Sequence, residues 1–457
     1  MKQTDLLVIG GSAGGILTAT TARKTYGDID ITLIRDTDVV MVPCGIPYIF
    51  GTLHSTKKNI IPDANLTDAK INLIIDQVVK INKEEKTVVT KNEEVISYKK
   101  LVIATGSLPI IPTFIPGHDL ENVFPVLKNS DYLDKVQEKL EKAENIAVIG
   151  GGFIGVEFAE QIHLLGKKVT LIEMADACLW QAFDEKFSKD LEGAMKKEGI
   201  HVLTSTKVKK ILGEKTVTGI ELDNGETIPA DLVILALGVK PNSSLGKEAG
   251  IQVNAKGAIM VDQYTRTSDP DIFAVGDCAE KICFFTGKDV PVLLASTAAM
   301  EAKLAGCNAF EMRVIRENKG TISAFSTQVF GRTYAAAGIT ETRAIQEKFN
   351  FIVGEFTTMD RHPGSLPGAK QVYIKLIFAR CSGVILGAQI WGGESVAEMI
   401  NILSLAIQKG MTSNELNTFQ VATHPLVSAS PIAYPINAAA MNAIAQDCKH
   451  LNEGLVL

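Results

Sequence analysis

Two stretches of this 457-residue chain repeat one another. Residues 6–15 read Leu-Leu-Val-Ile-Gly-Gly-Ser-Ala-Gly-Gly, and residues 146–155 read Ile-Ala-Val-Ile-Gly-Gly-Gly-Phe-Ile-Gly. Each is an apolar run, a glycine-rich turn and a helix-like stretch leading to a second apolar run, residues 31–36 and 169–173. A buried strand followed by a tight turn and a helix presents free backbone amides to a pyrophosphate. Two such units predict two mainly parallel sheets and two bound dinucleotides.

The second copy has the full Gly-x-Gly-x-x-Gly spacing, Gly150, Gly152 and Gly155, with Phe153 and Ile154 between. Glu173 ends its second strand, where a carboxylate accepts from an adenosine ribose hydroxyl and repels a 2′-phosphate. No basic residue follows until Lys186, so NADH is favoured over NADPH. The first copy keeps Gly10 and Gly15, but Ser12 replaces the middle glycine, followed by Ala13 and Gly14. Arg35 stands where the acid is expected and Asp36 follows it. Either Asp36 accepts from the ribose, or the adenosine is held another way.

Other apolar runs end in small residues: Ala104-Thr105-Gly106 closes one, Ala236-Leu237-Gly238 another, and Gly276-Asp277 a third. An aspartate at a strand's carboxyl end in a parallel sheet points into the ligand crevice. From about residue 322 the texture changes to short alternating runs, such as 372–378, before a helix-like segment near 394–409. The expectation is an α/β chain with two dinucleotide-binding domains and an α+β C-terminal domain. The first domain is discontinuous, about 1–112 and 246–321; the second is inserted, about 113–245; the third covers about 322–457.

Net charge is −6 with mixed signs, which argues against a nucleic-acid partner. The seven cysteines are irregularly spaced, with no Cys-x-x-Cys pair and no zinc-like cluster. No metal is expected, and a reducing cytoplasmic setting fits. The N-terminus has no signal-peptide pattern. Residues 416–446 carry no Lys, Arg, Asp or Glu, yet three prolines interrupt them. This tract reads as buried, at a subunit interface rather than in a membrane.

One cysteine, Cys44, lies in a constrained turn, Pro43-Cys44-Gly45-Ile46-Pro47-Tyr48, without a second cysteine nearby. A single thiol is commonly structural. A redox role requires an electron partner that this turn does not encode. The remaining cysteines read as structural, with Cys278 beside Asp277 a secondary candidate.

Taken in order, these marks resemble the flavin- and pyridine-nucleotide-dependent disulfide oxidoreductases over essentially the whole chain. They are the N-terminal glycine turn, the Cys44 turn, Ala104 to Gly106, the second glycine turn with Glu157, Ala236 to Gly238, and Thr267 to Asp277. The resemblance implies a glutathione-reductase-like pair of Rossmann domains and a C-terminal dimerisation domain. It implies FAD on the first unit, with Asp277 at its ribityl or phosphate region, and NADH on the second. Phe153 takes the place of the aromatic gate over the flavin. Gly238, Gly276, Ala295 and Thr297 complete the implied cofactor-binding set.

Within that family, Cys-Gly-Ile-Pro-Tyr resembles the one-cysteine branch of coenzyme A disulfide reductases, persulfide reductases, NADH oxidases and NADH peroxidases. Ala13 stands where peroxidases and many oxidases carry a histidine, and alanine cannot transfer a proton. The balance favours a sulfur acceptor (a small disulfide, persulfide or polysulfide, including coenzyme A derivatives) with oxygen as the alternative. A noncatalytic flavin-binding redox sensor is a third reading. His424-Pro425 resembles the catalytic His-Pro that the partner subunit supplies in the two-cysteine branch; the other reading is a buried interface histidine. Tyr434 lies in the same tract, where coenzyme A disulfide reductases carry a tyrosine near the cysteine. The implied assembly is a homodimer.

Overall fold

The computed structural model describes residues 2–315 and 319–454, with side chains through residue 447. Lys2–Ile9 lies between Ile31–Arg35 and Val95–Ile103 in parallel register, and Asn72–Ile75 extends the sheet beyond Ile31–Arg35. Ile272–Ala274 pairs in parallel with the carboxyl end of Val95–Ile103. Val78–Asn82 and Thr87–Thr90 hang antiparallel from its amino end. Leu6, Leu7, Val8 and Leu33 are fully buried, as strands covered on both faces must be. Helices Ala13–Tyr26 and Ala295–Asn308 pack together so closely at Gly306 that a methyl there would meet the Thr18 carbonyl oxygen at 2.7 Å. The chain therefore returns to its first sheet from residue 272 onward, after building a second.

That second sheet is five parallel strands in the order His201–Leu203, Lys168–Ile172, Asn145–Ile149, Leu232–Leu235, Val123–Pro125. A three-stranded antiparallel sheet, Val208–Gly213, Val217–Leu222 and Thr227–Pro229, shares its core through Ile211, Val217 and Ile220. The two chain crossings between the units run side by side as a two-stranded ribbon, Ser107–Pro109 against Val239–Pro241.

The third sheet is antiparallel, in the order Phe325–Val329, Arg332–Gly338, Ile385–Gly392, Gln371–Ala379, Phe351–Met359. Its strands alternate between two cores, because successive side chains point to opposite faces. Ile374, Leu376 and Phe378 face helices Val396–Lys409 and Pro435–Gly454. Tyr334, Tyr373 and Trp391 face Phe183 and Phe187 of the second unit. The strand and helix expected at 372–378 and 394–409 form at Gln371–Ala379 and Val396–Lys409.

The uncharged tract departs from expectation in one part. Its last section forms the helix Pro435–Gly454, whose Ile436, Ala439 and Ala443 are buried. His424, Leu426, Val427 and Ile432 stand exposed, Ile432 at 95%. Among the described residues no helix is long and apolar enough to cross a membrane. The described cysteines are all free, with Cys178, Cys278 and Cys283 buried; the side chain of Cys448 lies outside the described residues.

The second and third units are joined by a buried polar node. Asp184, just before helix Glu185–Lys197, accepts hydrogen bonds from Lys375 Nζ (2.8 Å), Gln389 Nε2 (2.5 Å), the Thr342 hydroxyl (2.9 Å) and two backbone amides. Burial alone raises the Asp184 pKa, but Lys375, the Thr342 amide and Gln389 outweigh it and hold the carboxyl below its usual range. Its stabilisation is present above the ordinary carboxylate pKa and is lost as pH falls through the lower folded value. Asp184→Ala is expected to lower unfolding free energy by about 2 kcal/mol at neutral pH, because the buried Lys375 keeps only Glu341 as a charged partner and Gln389 and Thr342 lose their acceptor. Chemical denaturation of wild type and variant at pH 7 and pH 4 checks this. A difference below about 1 kcal/mol at pH 7 makes the node dispensable.

Candidate active site

The two glycine turns are copies in backbone geometry. Gly10 and Gly150 adopt φ of 114° and 110°, available only to glycine at low cost. Their amides donate to Ile34 and Ile172, each at 2.8 Å. A Cβ on Gly10 would lie 2.1 Å from the Ala104 carbonyl oxygen, and one on Gly150 would lie 2.4 Å from that of Ala236. A Cβ on Gly15 or Gly155 would lie 1.8 Å from the carbonyl oxygen of Gly10 or Gly150. These approaches set the backbone at the carboxyl ends of both strands directly against the glycine turns.

Each turn delivers the start of a helix, Ala13–Tyr26 or Phe153–His163. The N-caps, Ser12 and Gly152, make no side-chain capping bond, and neither first turn holds an acid. Gly152 has nothing within 4 Å of a built Cβ, and Gly14 meets only Val275. Uncapped amides at the positive end of a helix dipole, beside open space, fit a pyrophosphate. Both sites therefore fit a dinucleotide. In the second unit Glu173 accepts from the Gly151 amide (2.6 Å) and the Ala175 amide (2.7 Å), so it braces the turn while keeping lone pairs for a ribose. In the first unit Arg35, not an acid, lies against Gly11, and Asp36 is exposed.

Cys44 occupies a short 3-10 turn, Pro43–Gly45, and is free and exposed. Asn59 holds this turn: its Nδ2 donates to Val42 O (2.9 Å), and a Cβ on Gly45 would lie 2.0 Å from its Oδ1. The chain then enters a π-turn, Ile49–Leu53, that presses against helix Phe153–His163. A Cβ on Gly51 would meet Gln161 O at 2.3 Å, Thr52 Oγ1 donates to Gln161 Oε1 at 2.7 Å, and the Phe50 and Phe158 rings lie 5.3 Å apart. The thiol of the first unit is thus fixed to the dinucleotide helix of the second.

The same helix carries two buried carboxyls. Glu157 accepts from Thr327 Oγ1 at 2.8 Å, and Glu160 accepts from the Phe330 amide at 2.5 Å, both donors belonging to the third unit. Burial raises Glu157 to about 7, the Thr327 hydroxyl opposes this, and Glu160 adds to it. Burial raises Tyr48 too, helped by Glu157, Glu160 and Cys44, which places its phenol among these groups. Phe153 stacks on Phe325 with centroids 5.1 Å apart.

Asp277 lies in the 3-10 turn Gly276–Cys278, after a strand shorter than the run 272–277 suggests. Its Oδ2 accepts from Ser107 Oγ at 2.8 Å, and Lys128 Nζ stands 3.8 Å away. The turn is pinned by a buried ion pair: Lys281 Nζ meets Glu301 Oε1 at 3.0 Å and donates to Gly276 O, while Glu301 Oε2 accepts the Gly276 amide. Thr297 is buried on the same helix as Glu301, its hydroxyl 3.5 Å from that of Thr321, and Ala295 begins that helix.

Within one chain no described hydrogen bond, ion pair or ring contact links the Cys44 turn to His424 or Tyr434. His424 is exposed, its Nδ1 accepting from the Leu426 amide at 3.3 Å. His362 Nδ1 lies 3.0 Å from Ser428 O, so the Asp360–Lys370 loop and the His424 segment form one surface. Tyr434 borders a shallow groove with Met399, Ile402, Val427 and Ala429, and burial raises its phenol. Asn59, Thr327, Lys281 and Glu301 went unread in the sequence. Glu301 carried a faint signal, a lone acid in an alanine-rich helix; the others carried none.

Known proteins share this arrangement. Residues 4–302 match the pyridine nucleotide-disulphide oxidoreductase profile, and residues 325–432 match its dimerisation domain. An NADH oxidase of Methanocaldococcus jannaschii is 33% identical over 452 residues, covering 96% of this chain and 98% of that protein. An NAD(P)H coenzyme A polysulfide/persulfide reductase of Pyrococcus horikoshii is 29% identical over 417 residues, covering 90% and 92%. The solved NAD-dependent persulfide reductase from A. fulgidus superposes with a TM-score of 0.89 at 33% identity, covering 98% of this chain and 84% of that one. The chain belongs to the pyridine nucleotide-disulphide oxidoreductase family.

Proposed function

We propose that this protein is a homodimeric flavoenzyme that uses NADH to reduce a small disulfide, persulfide or polysulfide through Cys44. The single observation that carries this is an exposed, free thiol on a turn whose following segment is clamped to the helix Phe153–His163 of the second dinucleotide-type unit. The polysulfide/persulfide and persulfide reductase names of two relatives support the sulfur acceptor. In this reading residues 1–112 with 246–321 hold FAD, 113–245 hold NADH and 322–457 form the dimer face.

The residues assigned to FAD are Gly10, Ser12, Ala13, Gly14, Gly15, Ala104, Thr105, Gly106, Gly276, Asp277, Ala295 and Thr297. Those assigned to NADH are Gly150, Gly152, Phe153, Ile154, Gly155, Glu157, Glu173 and Gly238. FAD, when bound, supplies the two-electron relay between NADH and sulfur. The Cys44 thiolate attacks one sulfur of an acceptor RS–SR′, forming a mixed disulfide and releasing R′S⁻. Two electrons from NADH then break that bond, restoring the thiolate and releasing RS⁻. The sum is NADH, a proton and RS–SR′ giving NAD⁺ and two thiols. Phe153, stacked on Phe325, would be the aromatic gate over the flavin. Glu157, raised to about 7 by burial, is about half protonated near neutral pH and so carries less negative charge there than an ordinary carboxylate. His424 or Tyr434 of a second copy protonates the departing sulfur. Support for the dimer comes from the matched dimerisation domain and the exposed Leu405, Val427, Ile432 and Met441.

NADH consumption with coenzyme A disulfide, coenzyme A persulfide, polysulfide and oxygen tests this. Turnover is expected with a sulfur acceptor and is expected to fall at least about 100-fold in Cys44→Ser. Bleaching of the flavin by NADH should persist in that variant, and His424→Ala should slow only the steps after bleaching. Sulfur turnover surviving Cys44→Ser unchanged rejects the Cys44 mechanism; turnover with oxygen alone favours an NADH oxidase, the activity named for the Methanocaldococcus relative.

Glu157 generates a pH prediction. Its folded pKa, about 7, lies above the ordinary 4.5, so its stabilisation is complete below 4.5 and lost as pH rises through about 7. Between pH 5 and pH 8 this removes about 2–3 kcal/mol of unfolding free energy. Glu157→Gln should flatten that part of the profile in denaturation at the two pH values. An unchanged profile would show that Glu157 is ionised throughout.

A further inference from the structure

The two glycine turns share a backbone but not a charge. A Cβ on Gly151 would touch Glu173 Cβ and Cγ at 3.0 and 3.1 Å; one on Gly11 would touch Arg35 Cβ and Cγ at 3.0 and 3.2 Å and Cδ at 2.4 Å. Arg35 therefore fills in the first unit the place that Glu173 fills in the second. A guanidinium has no lone pair to accept from a ribose hydroxyl. The dinucleotide of the first unit needs another acceptor there, or leaves its 2′-hydroxyl unrecognised.

Arg35 is wholly committed to its own chain. Its side chain is 2% exposed. Nε donates to Thr37 O (2.7 Å), Nη2 to Asp38 O (2.6 Å), and Nη1 and Nη2 grip Asp63 Oδ1 and Oδ2 at 2.6 and 2.8 Å. This two-point grip fixes the carboxylate plane as well as its position. Asp63 itself is different: its side chain is 40% exposed. It precedes the short helix Ala64–Asp68 yet makes no capping bond to it. A carboxylate has about four lone-pair sites, and the grip uses two. Asp36, next to Arg35 in sequence, is exposed and carries no such brace.

We infer that Asp63, held by Arg35, accepts the adenosine ribose 2′-hydroxyl of the dinucleotide in the first unit. This rests on the proposal that the first unit holds FAD. The carboxylate is delivered from the segment before the third strand rather than from the end of the second, and Arg35 is its positioning residue.

The test uses the deflavinated full-length chain and two ligands, FAD and FAD lacking the adenosine 2′-hydroxyl, with affinity read from flavin fluorescence. Wild type is expected to bind the deoxy ligand about tenfold more weakly or worse, as for a hydrogen bond to a charged acceptor. In Asp63→Ala, FAD binding should weaken and the gap between ligands should close to within about threefold. In Asp36→Asn the gap should stay as in wild type. Equal affinity of wild type for the two ligands overturns the inference without any variant. So does a gap that survives Asp63→Ala or that closes in Asp36→Asn. Failure of wild type to bind FAD at all overturns the flavoenzyme reading as well, which separates the two failures.

Discussion

The structure depends on backbone contact at two glycine turns. The Gly10 and Gly150 α-carbons lie against carbonyl oxygens of neighbouring strands, with no room for a side chain. That contact places each helix start above the carboxyl edge of its sheet, with amides free and dipole aimed outward. Any larger residue would push the helix away and with it the anion site. Everything else that bears on chemistry is arranged around these two fixed points.

The arrangement is made by cross-ties between units. The Cys44 turn belongs to the first unit, but the segment that follows it is clamped to the helix Phe153–His163 of the second by Gly51, Thr52 and Phe50. That helix is tied in turn to the third unit through Glu157 with Thr327 and Glu160 with Phe330. Asp184 adds a further tie to Lys375 and Gln389. A buried carboxylate tolerates burial only with such partners, so each tie fixes a relative orientation as well as holding surfaces together.

Charge is used differently at equivalent places. Glu173 braces its turn with two amides, whereas Arg35 occupies the matching space and grips the half-exposed carboxylate of Asp63 from another segment. On the helix of the second unit, burial raises Glu157 to about 7, against the hydrogen bond from Thr327. In the third unit, Leu426, Val427 and Ile432 stand exposed near His424, in the stretch matched by the dimerisation domain.

The sequence by itself determined the two glycine turns, the small residues that receive them, the isolated Cys44 and the change to alternating strands near residue 322. These were legible because each follows from a local rule: glycine at positive φ, continuous apolar runs in parallel strands, period two in an antiparallel sheet. Only the tertiary structure decided that Asp63 rather than Asp36 meets Arg35, that Asn59 holds the cysteine turn, and that Lys281 and Glu301 pin the Asp277 turn. It also decided that the uncharged tract is exposed around His424. Those pairings join residues distant in sequence, and nothing in local spacing or composition encodes which polar group a buried charge will find.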